Sequence, residues 1–330
     1  MTTLIRRRAL ALGLATPLAA PFVITAARAQ AAWPSKPVRI IVPFPPGQAA
    51  DIFTRLIGER LTEVWKQQVI VENKGGGNTI IGMEAVAKAK PDGYTLLLGT
   101  TTLATNAALG LKQPFDPLKD FQMISTVADI PDMIAVNKDL PIRNYKEFAD
   151  WVRKQPEKVR FGCSGVGNQP HLWGELFKSV NKLNMEVVGY KGSADAIRDV
   201  MGGHVPVVVD VVLPTGVHVA AGRMTGILVA ATERCPICPD VPTIVEAGMP
   251  DLVSAVFYGL AGPAGMSSSV VERLNALCLE TVKDPAVKKK FAELGFVTTG
   301  STPGQYLDKL KFETDRWTKV VKENNIKVEG

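Results

Sequence analysis

Short apolar runs alternate with helical patterns along most of the chain. Residues 39–42 are mostly β-branched and apolar, which is typical of a strand buried on both faces, and residues 52–61 carry apolar side chains at helical spacing. Further strands are predicted near residues 68–73, 94–99, 159–162, 187–190, 204–212 and 225–230. Strands that alternate with helices predict a parallel α/β sheet, whose ligand crevice lies at the carboxyl ends of the strands.

The first strand and the first helix are joined by a rigid loop. Pro43, Pro45, Pro46 and Gly47 end the strand, and Asp51 is predicted to cap the N-terminus of the helix. Backbone N–H groups at a helix start have no acceptor within the helix and favour an anion. This junction therefore predicts the capture of a carboxylate.

The same arrangement of strand, loop and helix occurs a second time. A strand at residues 159–162 leads into a polar glycine loop at residues 163–170, and helical periodicity resumes at His171. Two such helix N-termini that face each other across a cleft would hold a dianion from both sides.

Length and two extended runs indicate how the chain is divided. A chain of 330 residues is predicted to form two domains of ordinary size. Residues 127–136 and 253–261 are the two long extended runs that separate the candidate domains. We expect these runs to cross side by side as a hinge.

The first 29 residues have the layout of a secretory signal peptide. Three arginines at residues 6–8 precede an apolar stretch at residues 9–26, and small residues then predict cleavage after Ala29, with Ala31 as the alternative. A membrane anchor is the competing interpretation, but glycine and prolines interrupt the stretch. The arginine pair resembles a twin-arginine signal, and the general secretory route stays open. The mature protein is predicted to be periplasmic.

Charge and glycine pattern argue against two function classes. Removing the four arginines of residues 1–29 from the 38 basic residues leaves 34, against 32 acidic residues. No block of Lys and Arg remains to bind nucleic acid. The glycines at residues 75–77 do not complete a dinucleotide-binding motif, because Ile80 occupies its last position. No pattern indicates a cofactor or a metal site, and we expect neither.

The cysteines leave three possibilities open. Cys235 and Cys238 have the spacing of a redox motif, but they lie in a proline-rich loop and not at a strand-to-helix turn. The pair is predicted to form a local disulfide or to remain as two free thiols. Metal or redox chemistry is the third alternative.

Several motifs, in order along the chain, resemble one family of transport receptors. The run Pro34-Ser35-Lys36-Pro37-Val38-Arg39 leads into Val42-Pro43-Phe44-Pro45-Pro46-Gly47, with Asp51 beyond it. Later matches are Val71-Glu72-Asn73, Pro91-Asp92-Gly93-Tyr94-Thr95-Leu96, Gly174-Glu175-Leu176-Phe177-Lys178, Tyr190-Lys191-Gly192 and Pro239-Asp240-Val241-Pro242-Thr243. Together they are similar to the extracytoplasmic solute receptors of tripartite tricarboxylate transporters, the Bug receptors.

This resemblance implies an α/β fold of the periplasmic-binding-protein type II, with two doubly wound domains joined by two crossing hinge strands. Residues 30–130 and 256–330 would form domain 1, and residues 131–255 would form domain 2. The resemblance implies a receptor, not an enzyme, that captures a small carboxylate: a dicarboxylate or tricarboxylate, an aromatic carboxylate or an amino acid. Its implied partners are that ligand and the membrane subunits of a tripartite tricarboxylate transporter, and we expect a monomer.

The family holds its carboxylate largely through backbone N–H groups and ordered waters, at the loops after the first strand of each domain. On this chain those loops are residues 44–51 and 164–168. The predicted ligand-binding residues are Phe44, Pro45, Gly47, Gln48, Ala49, Asp51, Thr100, Thr101, Ser164, Gly165, Gly167, Asn168, His171 and Asp210. The chain departs from the family near this expected pocket, with Gln48-Ala49-Ala50 where more glycine is usual and Thr101 where Asn is usual.

An exported hydrolase is the alternative function. Ser164 or Cys163 would act as the nucleophile, with His171 as the base and Asp210 orienting it. The sequence around Ser164 does not match the G-x-S-x-G motif, because Val166 replaces the second glycine. The sequence therefore favours a binding protein.

Overall fold

The computed structural model describes residues 33–328. The predicted signal peptide, with its arginines and its cleavage site, lies outside the described residues. Within residues 33–328, every helix is too short or too polar to span a bilayer.

The described part of the chain contains ten strands and ten α-helices, which alternate from β1 to β8. The strands are β1 (Val38–Val42), β2 (Val69–Asn73), β3 (Thr95–Thr100), β4 (Phe121–Asn137), β5 (Val159–Cys163), β6 (Met185–Gly189), β7 (Val207–Val211), β8 (Met224–Val229), β9 (Ala255–Pro263) and β10 (Val297–Thr298). The helices are α1 (Ala49–Trp65), α2 (Ile80–Ala87), α3 (Thr102–Ala108), α4 (Tyr145–Lys154), α5 (Gln169–Val180), α6 (Ser193–Met201), α7 (Val212–Ala220), α8 (Ser268–Lys283), α9 (Pro285–Glu293) and α10 (Pro303–Glu323). A short 3₁₀-helix spans Pro250–Leu252.

The strands follow the order β2-β1-β3-β9-β4-β7-β5-β6, and β8 and β10 pair with β4 off this path. β1 lies parallel between β2 and β3, and β5 lies parallel between β6 and β7. The predicted parallel α/β pattern is confirmed for these two groups of strands. β4 and β9 run antiparallel to their neighbours between the groups.

β4 connects the two groups because it is long enough to belong to both. Its first part pairs with β9, and the residues from Asp132 onward pair with β7. The two extended runs that were predicted to cross do lie side by side, since Ile130 is opposite Val256. The predicted domain boundaries fall at this pair, and the division into two domains itself stays a prediction.

Two hydrophobic clusters pack on either side of the β4–β9 crossing. The first includes Ile41, Leu97 and Phe257, and the second includes Phe161, Trp173 and Val209. α10 contributes to both clusters, with Tyr306 and Leu310 in the first and Trp317 and Val320 in the second. The predicted assignment of residues 256–330 to one domain does not include this double role of α10.

The prediction that Asp51 caps α1 is wrong. The helix begins at Ala49, and Gln48 occupies the N-cap position. Asp51 lies in the first turn, where its carboxylate accepts a 2.9 Å hydrogen bond from the Gly47 N–H and forms a 2.9 Å ion pair with Arg55. Alanine favours helical geometry, so the helix starts before Asp51, and the carboxylate turns back to hold the loop.

All four cysteines are free and buried. Burial raises the pKa of the Cys235 thiol to about 12 and that of Cys238 to about 11, so both thiols are protonated at neutral pH. Among the described residues, no group of three or more His, Cys, Asp or Glu could hold a metal ion. Of the three possibilities for the pair, the structure shows two free thiols.

Replacing Gly259 with alanine is expected to destabilise the fold. A Cβ at this position of β9 would lie 2.6 Å from Tyr306 Cε1 and 2.7 Å from the Ser125 carbonyl oxygen, so a strand or a ring must shift. We expect the free energy of unfolding to fall by about 2 kcal/mol or more, measured by chemical denaturation without ligand.

Gly304→Ala is the matched control for this substitution. A Cβ there has its nearest neighbour 4.0 Å away, and alanine favours the helix. The control should keep the wild-type stability to within about 0.5 kcal/mol. Equal stability of the two variants would contradict the packing of Tyr306 against β9.

Candidate functional site

A cleft lies where the loops after β1, β3, β5 and β7 meet β9. Its inner part spans about 460 Å³ of space that is partly open to solvent. It is lined by Phe44, Gln48, Ala49, Ala50, Thr100, Thr101, Thr102, Ser164, Asn168, Gln169, Pro170, Ser193, Asp210, Val211, Val256 and Tyr258. Among these lining residues none is Lys or Arg, and Asp210 is the one acidic side chain.

The cleft widens toward solvent into an outer part of about 840 Å³. This part is lined by Pro43, Phe44, Pro45, Gln48, Gly76, Asn78, Thr79, Thr102, Ser164, Gly165, Asn168, Tyr190 and Lys191. Lys191 is therefore the cationic residue of the outer cleft, separated from the inner lining.

α1 begins against the inner cleft. Ala49 and Ala50 are its first two residues, and their N–H groups have no acceptor among residues 33–328. The Gly47 N–H is not available in the same way, because it donates to Asp51. Burial alone would raise the pKa of Asp51, but the Gly47 N–H, Arg55 and Asn73 together hold it below its ordinary value. The start of α1 thus presents N–H donors, with its own carboxylate turned back into the loop.

α5 begins on the opposite wall of the cleft. Its N-cap is Asn168, whose side chain accepts from the His171 N–H at 3.1 Å and donates to Ser164 Oγ at 3.0 Å. Gly167 has a φ of +90° and donates its N–H to His171 Nδ1 at 3.0 Å. Gly167 and His171 therefore shape the loop, while Ser164 and Asn168 line the cleft.

Asp210, the penultimate residue of β7, is only 1% exposed. Its Oδ1 accepts hydrogen bonds from Ser164 Oγ at 3.0 Å and from the Val211 N–H at 2.8 Å. Its Oδ2 has no hydrogen-bond partner among the described residues. Burial raises the pKa of Asp210 to about 6, and the Ser193 hydroxyl, the Val211 N–H and the Ser164 hydroxyl limit the rise.

A second buried carboxyl, that of Asp132, lies close to Asp210. Asp132 Oδ2 accepts a 3.0 Å hydrogen bond from Gln169 Nε2, which is also 3.1 Å from Ser254 Oγ. Burial raises the pKa of Asp132 to about 7; the Gln169 and Ser254 side chains oppose that rise, and Asp210 adds to it. This network ties the start of α5 to the β4–β9 crossing.

Tyr258 brings an aromatic side chain from β9 to the inner cleft. Its ring stacks on Phe53, with the ring centroids 5.0 Å apart. Burial, and then the nearby Asp210 and Asp132, raise the pKa of Tyr258, so its hydroxyl stays protonated. The cleft therefore combines an aromatic wall with hydroxyl groups and backbone donors.

Two contacts span the mouth of the cleft. Gln48 Nε2 donates to the Lys191 carbonyl oxygen at 3.5 Å, and Gly192 approaches so closely that a Cβ would lie 2.6 Å from this nitrogen. A Cβ on Gly167 would lie 3.1 Å from Asn78 Nδ2. The loop after β1 and the loop before α2 thus touch segments on the far side of the cleft.

The structure brings ten of the fourteen predicted site residues to the cleft. Gly47, Asp51, Gly167 and His171 lie behind its surface and hold the two loops through the hydrogen bonds given above. The inner lining also contains Ala50, which belongs to the predicted loop at residues 44–51, and seven residues that were not predicted: Thr102, Gln169, Pro170, Ser193, Val211, Val256 and Tyr258. Most of these residues directly follow the end of a strand or begin a helix, and this location in the sequence could have identified them as candidates.

The described hydrogen bonds do not assemble a hydrolase. Ser164 Oγ contacts Asp210 and Asn168, and His171 Nδ1 accepts from Gly167. Burial raises the pKa of the Cys163 thiol to about 12, and burial lowers the pKa of His171 to about 4. The contact between His171 and Ser164 or Cys163 that the hydrolase alternative requires is therefore missing from the described hydrogen bonds.

Comparison with known proteins identifies the family. Residues 53–326 match the tripartite tricarboxylate transporter family receptor. The chain belongs to this family. Protein BugT of Bordetella pertussis is 30% identical over 298 residues, which cover 90% of this chain and 91% of BugT.

Two solved structures of similar receptors share the fold. R. palustris Rpa4515, solved with adipate, is 31% identical with a TM-score of 0.85, over 89% of this chain and 99% of that chain. MatC from Rhodopseudomonas palustris, with bound malate, is 27% identical with a TM-score of 0.79, over 87% and 99%. The predicted fold class, an α/β periplasmic-binding-protein fold, is confirmed, and the family is one of solute-binding receptors.

His171 is expected to make the stability of this receptor sensitive to acid. Its folded pKa of about 4 lies below the ordinary 6.5, so between these values the unfolded chain binds a proton that the folded protein excludes. Stability is then lost as the pH falls through this window.

The test compares wild type with His171→Asn, which keeps an acceptor for the Gly167 N–H but does not titrate. Other titrating groups are common to both proteins. The stability advantage of wild type should shrink by about 2 kcal/mol between pH 7.5 and pH 4.5, measured by denaturant unfolding. A difference that does not change with pH would contradict a neutral, buried His171.

Proposed function

We propose that this receptor captures a small carboxylate in the cleft and delivers it to a membrane transporter of the tripartite tricarboxylate type. The observation that carries the proposal is the start of α1. There the N–H groups of Ala49 and Ala50 have no acceptor within residues 33–328, and the inner lining includes no Lys or Arg. Such donors, aligned with a helix dipole, favour an anion. The adipate and malate bound to the similar receptors support a carboxylate as that anion.

The proposed ligand contacts follow from the cleft lining. The predicted residues that reach it are Phe44, Pro45, Gln48, Ala49, Thr100, Thr101, Ser164, Gly165, Asn168 and Asp210. Gly47, Asp51, Gly167 and His171 are proposed to act by positioning the two loops. Each N–H bond to a carboxylate contributes about 1.5–3 kcal/mol, so a few such bonds account for binding in the micromolar range after the cost of association.

The remaining parts of the proposal concern location and movement. An exported, periplasmic and monomeric receptor fits the predicted signal peptide and the family. The two proposed domains are residues 30–130 with 256–330, and residues 131–255. Their closure would form the contacts between Gln48 and Lys191 and between Asn78 and Gly167, and their opening would break these contacts. Delivery would follow when these contacts open.

Ala49→Pro should weaken carboxylate binding without unfolding the protein. Proline at the first residue of a helix deletes one N–H and is well tolerated there, and Gln48 before it is already extended, with φ −78° and ψ 164°. We expect the affinity for the best ligand to fall by about tenfold or more. That ligand is chosen from a panel of dicarboxylates, tricarboxylates, aromatic carboxylates and amino acids, and the affinity is measured by calorimetry.

Ser268→Pro, at the first residue of α8, is the matched control and should bind as wild type does. Thermal unfolding of the ligand-free variants is compared first. If Ala49→Pro binds with wild-type affinity and Lys191→Ala loses binding, the carboxylate is held by a salt bridge to Lys191 and not by the backbone donors of α1. No binding of any carboxylate by the wild-type protein would overturn the proposed function.

A further inference from the structure

The inner cleft contains an acceptor, Asp210 Oδ2, that no described residue satisfies. Asp210 Oδ1 already accepts two hydrogen bonds, from Ser164 and Val211, which fix the carboxyl group in place. Oδ2 of the same group has no donor among the described residues, although the side chain is buried and lines the cleft. A buried polar atom without a partner is costly unless a bound molecule supplies one.

Among the described residues that line the inner cleft with Asp210, none supplies a compensating cation. The inner lining has no Lys or Arg, and the nearest comparable group is a second buried carboxyl, Asp132. The Ser193 hydroxyl is close enough to lower the pKa of Asp210 but makes no hydrogen bond to Oδ2. Asp210 therefore repels a ligand carboxylate and can accept a hydrogen bond from a ligand donor. The start of α1, in contrast, donates hydrogen bonds and attracts a carboxylate.

We propose that the ligand of this receptor is a carboxylate that also carries a hydrogen-bond donor, a hydroxyl or an ammonium group, directed at Asp210 Oδ2. This inference rests on the proposed function and deepens it. The carboxylate lies at the N–H groups of Ala49 and Ala50, and the donor group lies at Asp210. A carboxylate without a donor leaves Oδ2 unpaired on binding and loses the corresponding affinity.

Matched ligands test this directly on the wild-type protein. Succinate, malate and aspartate differ at one carbon, which carries hydrogen, a hydroxyl or an ammonium group, and propionate, lactate and alanine repeat the series with one carboxylate. Calorimetry should show a donor-bearing member binding at least about tenfold tighter than the donor-free member of its series. The ranking of hydroxyl against ammonium identifies which donor the site takes.

Asp210→Asn tests the residue. Asparagine keeps an Oδ1 that can accept from Ser164 and Val211, and it replaces Oδ2 with an NH₂ donor. We expect the donor preference to fall to about threefold or less in this variant. Asp195→Asn, an exposed carboxyl on α6 that does not line the cleft, should keep the wild-type preference.

The outcomes separate the inference from the proposed function. Equal or tighter binding of succinate or propionate overturns the inference while carboxylate capture stands. A donor preference that persists in folded Asp210→Asn assigns the donor to another group and overturns it as well. If Asp210→Asn does not fold, the wild-type ranking within each series decides. Absence of binding for every carboxylate overturns the proposed function and the inference together.

Discussion

The antiparallel ladder between β4 and β9 is the interaction on which the rest of the molecule depends. β4 pairs with β9 up to Pro131 and with β7 from Asp132 onward, so one continuous strand belongs to both groups of parallel strands. The ladder brings Val256 and Tyr258 to the inner cleft beside the loops that follow β1, β3, β5 and β7. Those loops reach one cleft only because the two groups are joined in this register.

The inner cleft separates its hydrogen-bond donors from its carboxyl group without a Lys or Arg among its lining residues. At one side, α1 offers backbone N–H groups; at another, Asp210 lines the cleft with Asp132 buried near it, and burial raises the pKa of both carboxyls. Backbone donors are fixed by the fold and cannot swing away as a lysine can. The inner cleft therefore differs in charge character from one side to the other.

Sequence patterns predicted the parts of this structure that local physics determines. The strands, the two loops and the helices that begin after these loops follow from apolar periodicity, and the crossing runs follow from length. Asp51 was misplaced as the cap because Ala49 and Ala50 already adopt the helix. The helix α3 was missed because Thr100, Thr101 and Thr102 favour a strand. The position of Tyr258 in the cleft and the packing of α10 against the second hydrophobic cluster depend on how distant strands pair, which no local pattern contains.

α10 places a limit on how the cleft can open. Its Tyr306 and Leu310 are buried in one cluster and its Trp317 and Val320 in the other, and Lys309 forms a 2.9 Å ion pair with Asp129 of β4. Any motion that separates the two clusters must bend this helix or uncover Trp317, and uncovering a buried aromatic side chain costs several kcal/mol. α10 therefore opposes any motion that separates the two clusters.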